Sequence, residues 1–181
     1  VSMKKKVRIL VAAIALMLCC AIGGTLAWLS DKTAPVVNTF TVGDINITLT
    51  ESDNLNLKMV PGNTVFKDPK VTVKANSEAC WLFVKVEKSA NFDSFMTYAV
   101  ANGWTPLADN DGVYYREVPA NTADAEFEVL QNNRVTVKET VTKQDLLEVA
   151  DSNSPTLTFT AFAVQKENIG TATAAWEKVK P

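Results

Sequence analysis

An alternation of apolar and polar residues with a period of two constrains the fold of this chain most strongly. Between positions 42 and 51, Ile45, Ile47 and Leu49 alternate with polar residues, so they share one face of a strand. Six similar stretches rich in Val, Thr, Phe and Tyr cover residues 71–74, 80–88, 113–118, 127–130, 135–139 and 157–164. Short strands at this density predict an all-β fold, a jelly-roll-like antiparallel β-sandwich.

Turn and helix signals lie between these strands. Turns are predicted at Pro61-Gly62, at residues 75–77 and 109–112, and at Asn132-Asn133.

Three short helices are also predicted, and we expect them to cover sheet edges or one end of the sandwich. One spans residues 93–102 and ends at Gly103. A second begins at Thr142, where Asp145 three residues on completes a capping-box pattern, and a third spans residues 171–179.

The N-terminal segment has the features of an export signal. Basic residues between positions 4 and 8 precede an apolar run over residues 9–22. The small residues Thr25 and Ala27 then suit the positions before a signal-peptidase cut, which we predict between Ala27 and Trp28. The apolar run is shorter than the ~20 residues that cross a bilayer comfortably, so a retained single-span anchor is the alternative.

Removal of residues 1–27 as a signal peptide would leave residues 28–181, enough for a single secreted domain that meets the membrane only before cleavage. The formal net charge of −2 would become about −6, because four basic residues leave and no acidic one does. Nucleic-acid binding is not expected of so acidic a domain. Cys80 would be its one cysteine, so no internal disulfide can form, and its apolar surroundings predict a buried small hydrophobe.

No catalytic constellation is visible in the sequence. The chain contains no histidine, which excludes an HExxH zinc site, a Ser-His-Asp triad and a Cys-His pair. We therefore expect no enzyme, no catalytic or metal-binding residues and no cofactor. The segment from Asp109 to Gly112 resembles the start of a calcium loop, but the twelfth position is Ala120. A hairpin turn is the favoured interpretation, and a weak calcium site is the alternative.

Three segments combine β propensity with little charge. Residues 80–84 and 159–164 are predicted to be core strands. Residues 28–40 form an N-terminal arm that cleavage would free, and it ends in the strand-like run Val36-Val37-Asn38-Thr39-Phe40. Such an arm can pair with its own sheet or with that of a neighbour.

Several motifs resemble the exported TasA/camelysin family of Gram-positive bacteria. They are residues 23–28, residues 38–51, Val60-Pro61-Gly62, Lys67-Asp68-Pro69 with residues 71–76, and near the C-terminus residues 163–165 and 174–176. The resemblance implies a jelly-roll-like β domain, processing by a SipW-type signal peptidase, and secretion to the cell surface or the biofilm matrix.

The same resemblance implies self-association. TasA-like members polymerise into fibres in which the N-terminal arm of one subunit completes the sheet of the next, so we expect a homo-oligomer or filament joined through Val36, Val37, Thr39 and Phe40. A monomeric surface or matrix binding module is the second interpretation. Camelysin is described as a metalloendopeptidase, but without histidine we find no zinc ligand set here, and protease activity is the third.

Overall fold

The computed structural model describes residues 39–42, 45–52, 59–149 and 153–181, all within the unit Thr33–Pro181. The described strands are β1 (Thr39–Val42), β2 (Ile47–Thr50), β3 (Thr64–Phe66), β4 (Lys70–Val73), β5 (Cys80–Lys88), β6 (Met96–Val100), β7 (Thr105–Pro106), β8 (Val113–Val118), β9 (Ala125–Glu128), β10 (Leu130–Val137) and β11 (Leu157–Gln165). The helices are α1 (Phe92–Phe95), α2 (Lys143–Val149) and α3 (Ala172–Val179). None of the helices in this part of the chain is long and apolar enough to span a membrane.

The strands form a five-stranded sheet and two three-stranded sheets. The five-stranded sheet has the order β1-β11-β5-β8-β7, and its pairs are antiparallel except that β1 runs parallel to β11. The smaller sheets, β3-β10-β6 and β2-β4-β9, are antiparallel and adjoin each other, because β3 leads into β4 and β9 into β10. Backbone hydrogen bonds from Lys67 to Asn133 (2.8 Å) and from Val129 to Pro69 (2.9 Å) join them at the junction. The prediction of an all-β, mainly antiparallel fold with a few short helices is confirmed.

The five-stranded sheet is buried on both faces. In β5, Leu82 and Val84 belong to the main core with residues of both small sheets, whereas Trp81 and Phe83 belong to a second core with α3. With the same alternation in β11, Ala161 belongs to the main core and Phe162 to the second core on the α3 side. Strands with two buried faces read as nearly continuous apolar runs, which is why residues 80–84 and 159–164 carry so little polarity. Both segments are core strands, as predicted.

Two of the three predicted helices are confirmed, and their caps explain where they begin. At α2, the Thr142 backbone N–H donates to Asp145 Oδ2 (2.7 Å) while the Asp145 N–H donates to Thr142 Oγ1 (3.2 Å), which is a reciprocal capping box. At α3, the Ala174 N–H donates to Thr171 Oγ1 (3.2 Å). Trp176 of α3 packs against the five-stranded sheet.

The predicted helix over residues 93–102 is wrong. Helix α1 ends at Phe95, and the chain continues as strand β6, which pairs with β10. The Tyr98 ring packs edge-on against Phe92 at 5.9 Å, and side chains of β6 alternate between half-buried and exposed positions. Pairing with β10 outweighs the weak helical pattern, since tertiary contacts routinely override local propensity.

Two strand boundaries also differ from the prediction. The strand predicted over residues 42–51 is shorter in the structure, where β2 covers only Ile47–Thr50. Val42 belongs to β1, in another sheet, and positions 43 and 44 lie outside the described residues. The turn predicted at Asn132-Asn133 is wrong, because both residues lie inside β10 with φ of 55° and 54°. Asparagine tolerates this left-handed conformation, so the pair makes an irregularity where the register with β6 shifts.

Candidate functional site: sheet edges open to a partner

The residues with catalytic or metal-binding potential do not converge. Within the ranges that the structure describes, no three Cys, Asp or Glu side chains lie close enough together to hold a metal ion. Cys80 is buried at the start of β5, and burial raises the pKa of its thiol to about 11. A thiol in this environment stays protonated and is a poor nucleophile at neutral pH.

The segment from Asp109 to Gly112 forms the hairpin turn between β7 and β8, as predicted. Asp109 and Gly112 take φ of 59° and 75°, and a Cβ at Gly112 would lie 2.5 Å from the Val86 carbonyl oxygen. The Asn110 side chain accepts a hydrogen bond from Trp176 Nε1 at 3.0 Å, so the turn also positions α3.

The sheet edges differ in how well they are protected from a partner strand. Strand β7 is two residues long and ends in Pro106, which has no N–H to donate. Strand β9 carries exposed Glu126, which pairs with Lys70 at 3.0 Å. Short length, proline and charge are the usual devices that keep an edge from pairing.

Strand β6 has none of these devices. It is five residues long, contains no charge and no proline, and exposes Thr97 and Ala99. One side pairs with β10, and within the described sheets no strand pairs with the other side. A groove of about 440 Å³ runs beside it, lined by β6 itself and by Lys88, Asp93 and Tyr114. The groove therefore combines an open backbone edge with side chains from α1 and the five-stranded sheet.

The chemistry of the groove suits a peptide. Burial raises the pKa of Tyr98 above its usual range, and the neighbouring Tyr114, which hydrogen-bonds it, adds to the shift. The Tyr98 hydroxyl therefore stays neutral. Lys88 Nζ and Asp93 Oδ2 form an exposed ion pair at 2.6 Å, so both signs of charge stand near the groove. Such a surface offers backbone hydrogen bonds, aromatic contacts and a charge pair to an extended segment.

The residues predicted from the sequence to act in export and assembly are only partly described. Thr25, Ala27, Trp28, Val36 and Val37 lie outside the described residues. Thr39 and Phe40 lie in β1, in register with Ala161 and Phe162 of β11, at the edge of the five-stranded sheet.

Strand β6 was not predicted as a sheet edge from the sequence, which indicated a helix over residues 93–102. The sequence signal for it was the uncharged run Met96-Thr97-Tyr98-Ala99-Val100, which was interpreted as part of a helix.

The fold and its edges define an all-β sandwich domain with a helix-covered sheet and an open, uncharged edge strand. Residues 2–86 match the sequence model of a family described as camelysin metallo-endopeptidase. The N-terminal part of the chain, just under half of its length, is therefore similar to the camelysin family. The matched stretch extends into β5, so the strands from β6 onward lie outside it. No curated protein and no solved structure matches the chain.

Proposed function

We propose that this protein is a secreted structural component of the cell surface or biofilm matrix that assembles into filaments by N-terminal strand addition. The observation that carries the proposal is β6, an uncharged edge strand beside a groove large enough for side chains of an added strand. In strand addition, main-chain hydrogen bonds supply affinity and alternate side chains fill pockets. The similarity of residues 2–86 to the camelysin family and the export signal support the same function.

The donor in this proposal is the part of the arm that precedes β1, residues 28–38, of a second copy, because Thr39 and Phe40 pair with β11 of their own domain. Strand β1 lies at the β11 end of the five-stranded sheet, whereas Tyr114 of the groove belongs to β8, three strands away. Donor and acceptor thus occupy different surfaces of the domain, and a contact between different surfaces extends into a filament unless its rotation closes a ring. Asp31 and Lys32 of the arm offer charges complementary to Lys88 and Asp93.

The proposed role requires no catalysis and no cofactor. The absence of histidine from the sequence supports this view, as does the lack of a metal-binding cluster among the described residues. Chelator-sensitive hydrolysis of casein by homogeneous protein would contradict it and favour a camelysin-like protease.

A monomeric binding module is the second candidate. It is favoured by one observation, that Thr39 and Phe40 already pair with β11 of their own domain. A chain whose arm pairs within its own domain has fewer unpaired backbone groups with which to bind a neighbour.

The test is electron microscopy of protein that begins at Trp28, beside the same protein without residues 28–38. We expect filaments from the first and none from the second. Absence of filaments from the intact protein at any concentration would reject assembly and leave the monomeric module.

The acceptor edge has its own test. The double variant Thr97→Lys/Ala99→Lys places two charges on the exposed positions of β6 and should abolish filaments without unfolding the domain. The matched control is Thr136→Lys, which places a charge on an exposed position of β10 directly opposite Thr97, in a strand paired on both sides. Filaments that survive the double variant would show that β6 is not the acceptor.

Cleavage by a SipW-type peptidase is part of the proposal. Before the cut, the arm is tethered at the membrane, so Ala27→Phe should retain the protein there in unassembled form. N-terminal sequencing of the secreted protein should begin at Trp28, and another first residue would move the boundary of the arm.

A further inference from the structure

Arg116 of β8 lies in a slot built from three residues of other segments. Its guanidinium carbon stands 3.9 Å from the ring centroid of Phe127 and 5.3 Å from that of Trp104. Gly103 borders the slot, since a Cβ there would come within 3.0 Å of Arg116 Nη2. The Trp104 ring is fixed by its own Nε1, which donates to the Glu128 carbonyl oxygen at 2.8 Å. The slot is therefore built by neighbouring elements and does not depend on a single flexible side chain.

The guanidinium has no counter-ion within the described residues. Each ion pair found there uses a lysine, and Arg116 hydrogen-bonds none of the described carboxylates. Its Nε is fully buried and has no hydrogen-bond partner, whereas neither Nη1 nor Nη2 is both buried and unpaired. Burial lowers the pKa of Arg116, which shows that the charge is partly removed from water. A half-buried cation without an anion is an arrangement that a bound anion would stabilise.

The planar edge of the guanidinium suits a planar anion. The Phe127 and Trp104 rings stand against the guanidinium, whereas Gly103 lies beside Nη1 and Nη2 and, having no Cβ, leaves space for a ligand at that edge. Two parallel N–H groups in one plane match the two oxygens of a carboxylate, which are coplanar with its carbon. A tetrahedral phosphate needs more room above and below that plane.

We propose that the Arg116 slot is a binding site for a carboxylate-bearing ligand, held end-on by Nη1 and Nη2. Phe127 and Trp104 hold the planar guanidinium in position and limit its contact with water, and Gly103 leaves room for it. The site lies outside the β6 groove and does not depend on filament assembly.

The full chain offers an internal control, because it contains three arginines, Arg8, Arg116 and Arg134. We would titrate the ¹⁵N-labelled chain with acetate and follow the three side-chain Nε–Hε signals by NMR. The Arg116 signal should shift along a saturable curve. The Arg134 signal should shift weakly and without saturation, because Arg134 is exposed on β10. A linear, unsaturated response at Arg116 would overturn the proposal.

Two variants and a second anion complete the test. Gly103→Ala crowds Nη2 and also strains the backbone, whose φ at this position is 89°. It should weaken acetate binding at least tenfold while the other side-chain signals remain those of the folded domain, and unchanged binding would reject the slot. Arg134→Lys is the matched control and should leave the Arg116 titration unchanged. Inorganic phosphate at equal ionic strength should bind more weakly than acetate, and tighter binding would reject a carboxylate site.

Discussion

Strands β11 and β6 are both uncharged and rich in β-forming residues, yet they differ in what surrounds them. Strand β11 pairs with β1 on one side and β5 on the other, and residues 159–164 are all buried. Strand β6 pairs with β10 alone and exposes alternate side chains. The more hydrophobic strand is thus the one that a partner cannot reach. Exposure of an edge, and not hydrophobicity, decides where an intermolecular strand can add.

The same substitution in both strands tests this difference most directly. Ala161 of β11 is fully buried, so Ala161→Lys places an unpaired ammonium in the core and should leave the domain unfolded at 25 °C. Ala99 of β6 is exposed, so Ala99→Lys should change the free energy of unfolding by at most about 0.5 kcal/mol. Urea denaturation followed by tryptophan fluorescence measures both. A folded Ala161→Lys variant would mean that β11 is less enclosed than described.

Helix α3 covers one face of β11, and its contribution to stability can be tested by substitution. Trp176 of α3 lies 5.2 Å from the Phe162 ring and 5.3 Å from the Phe83 ring and is 3 % exposed. Trp176→Ala should reduce the free energy of unfolding by about 3–5 kcal/mol through lost burial and a residual cavity. The control is Leu147→Ala in α2, where the side chain is 56 % exposed and the loss should stay below about 1 kcal/mol. Equal losses for the two variants would show that α3 does not stabilise the sheet.

A buried ion pair also borders β11. Lys67 Nζ lies 2.6 Å from Glu51 Oε1 and 5.4 Å from the Phe159 ring, and both charged side chains are at most 10 % exposed. Lys67→Ala leaves the Glu51 carboxylate buried without its partner and should cost about 3 kcal/mol. Lys70→Ala breaks the exposed pair with Glu126 and should cost less than about 1 kcal/mol. Thermal unfolding of the two variants compares the costs directly, and a loss at Lys67 no larger than at Lys70 would contradict the buried pair.

The smallest expected effect concerns α2, whose Leu146 packs in one cluster with Met96 of β6. Thr142→Ala removes the N-cap hydroxyl and should cost about 1 kcal/mol, measured by urea denaturation at pH 7.

The pH dependence of that loss follows from Asp145. Hydrogen bonds from the Thr142 backbone and then from its hydroxyl hold the pKa of Asp145 below its ordinary value of 3.8. A depressed folded pKa stabilises the folded state above 3.8, and this contribution disappears as the pH falls through the lower folded value. The difference between wild type and Thr142→Ala should therefore shrink in acid. A difference that grows below pH 3.8 would contradict the capping box.

Prediction from sequence succeeded where local pattern and tertiary burial agree. Strands β5 and β8 begin and end where they were predicted, because both carry strong β-forming runs bounded by turn residues. The capping box at Thr142 was predictable because both partners lie within four residues of each other. Strand β6 was not predictable in this way, since its conformation depends on β10, more than 30 residues further along the chain. The Arg116 slot likewise joins residues from three separated segments.

The sequence by itself determined the class of the fold, the two core strands, the cap of α2 and the absence of histidine chemistry. These features follow from the side-chain period, from capping patterns and from composition, all of which are local. Only the tertiary structure decided which strand edges stay open, that β1 runs parallel beside β11, and that Arg116 lies against two aromatic rings with no anion among the described residues. A sheet edge or a binding slot is formed by segments that lie far apart in the sequence. Its presence therefore depends on which of these segments come into contact in the folded domain.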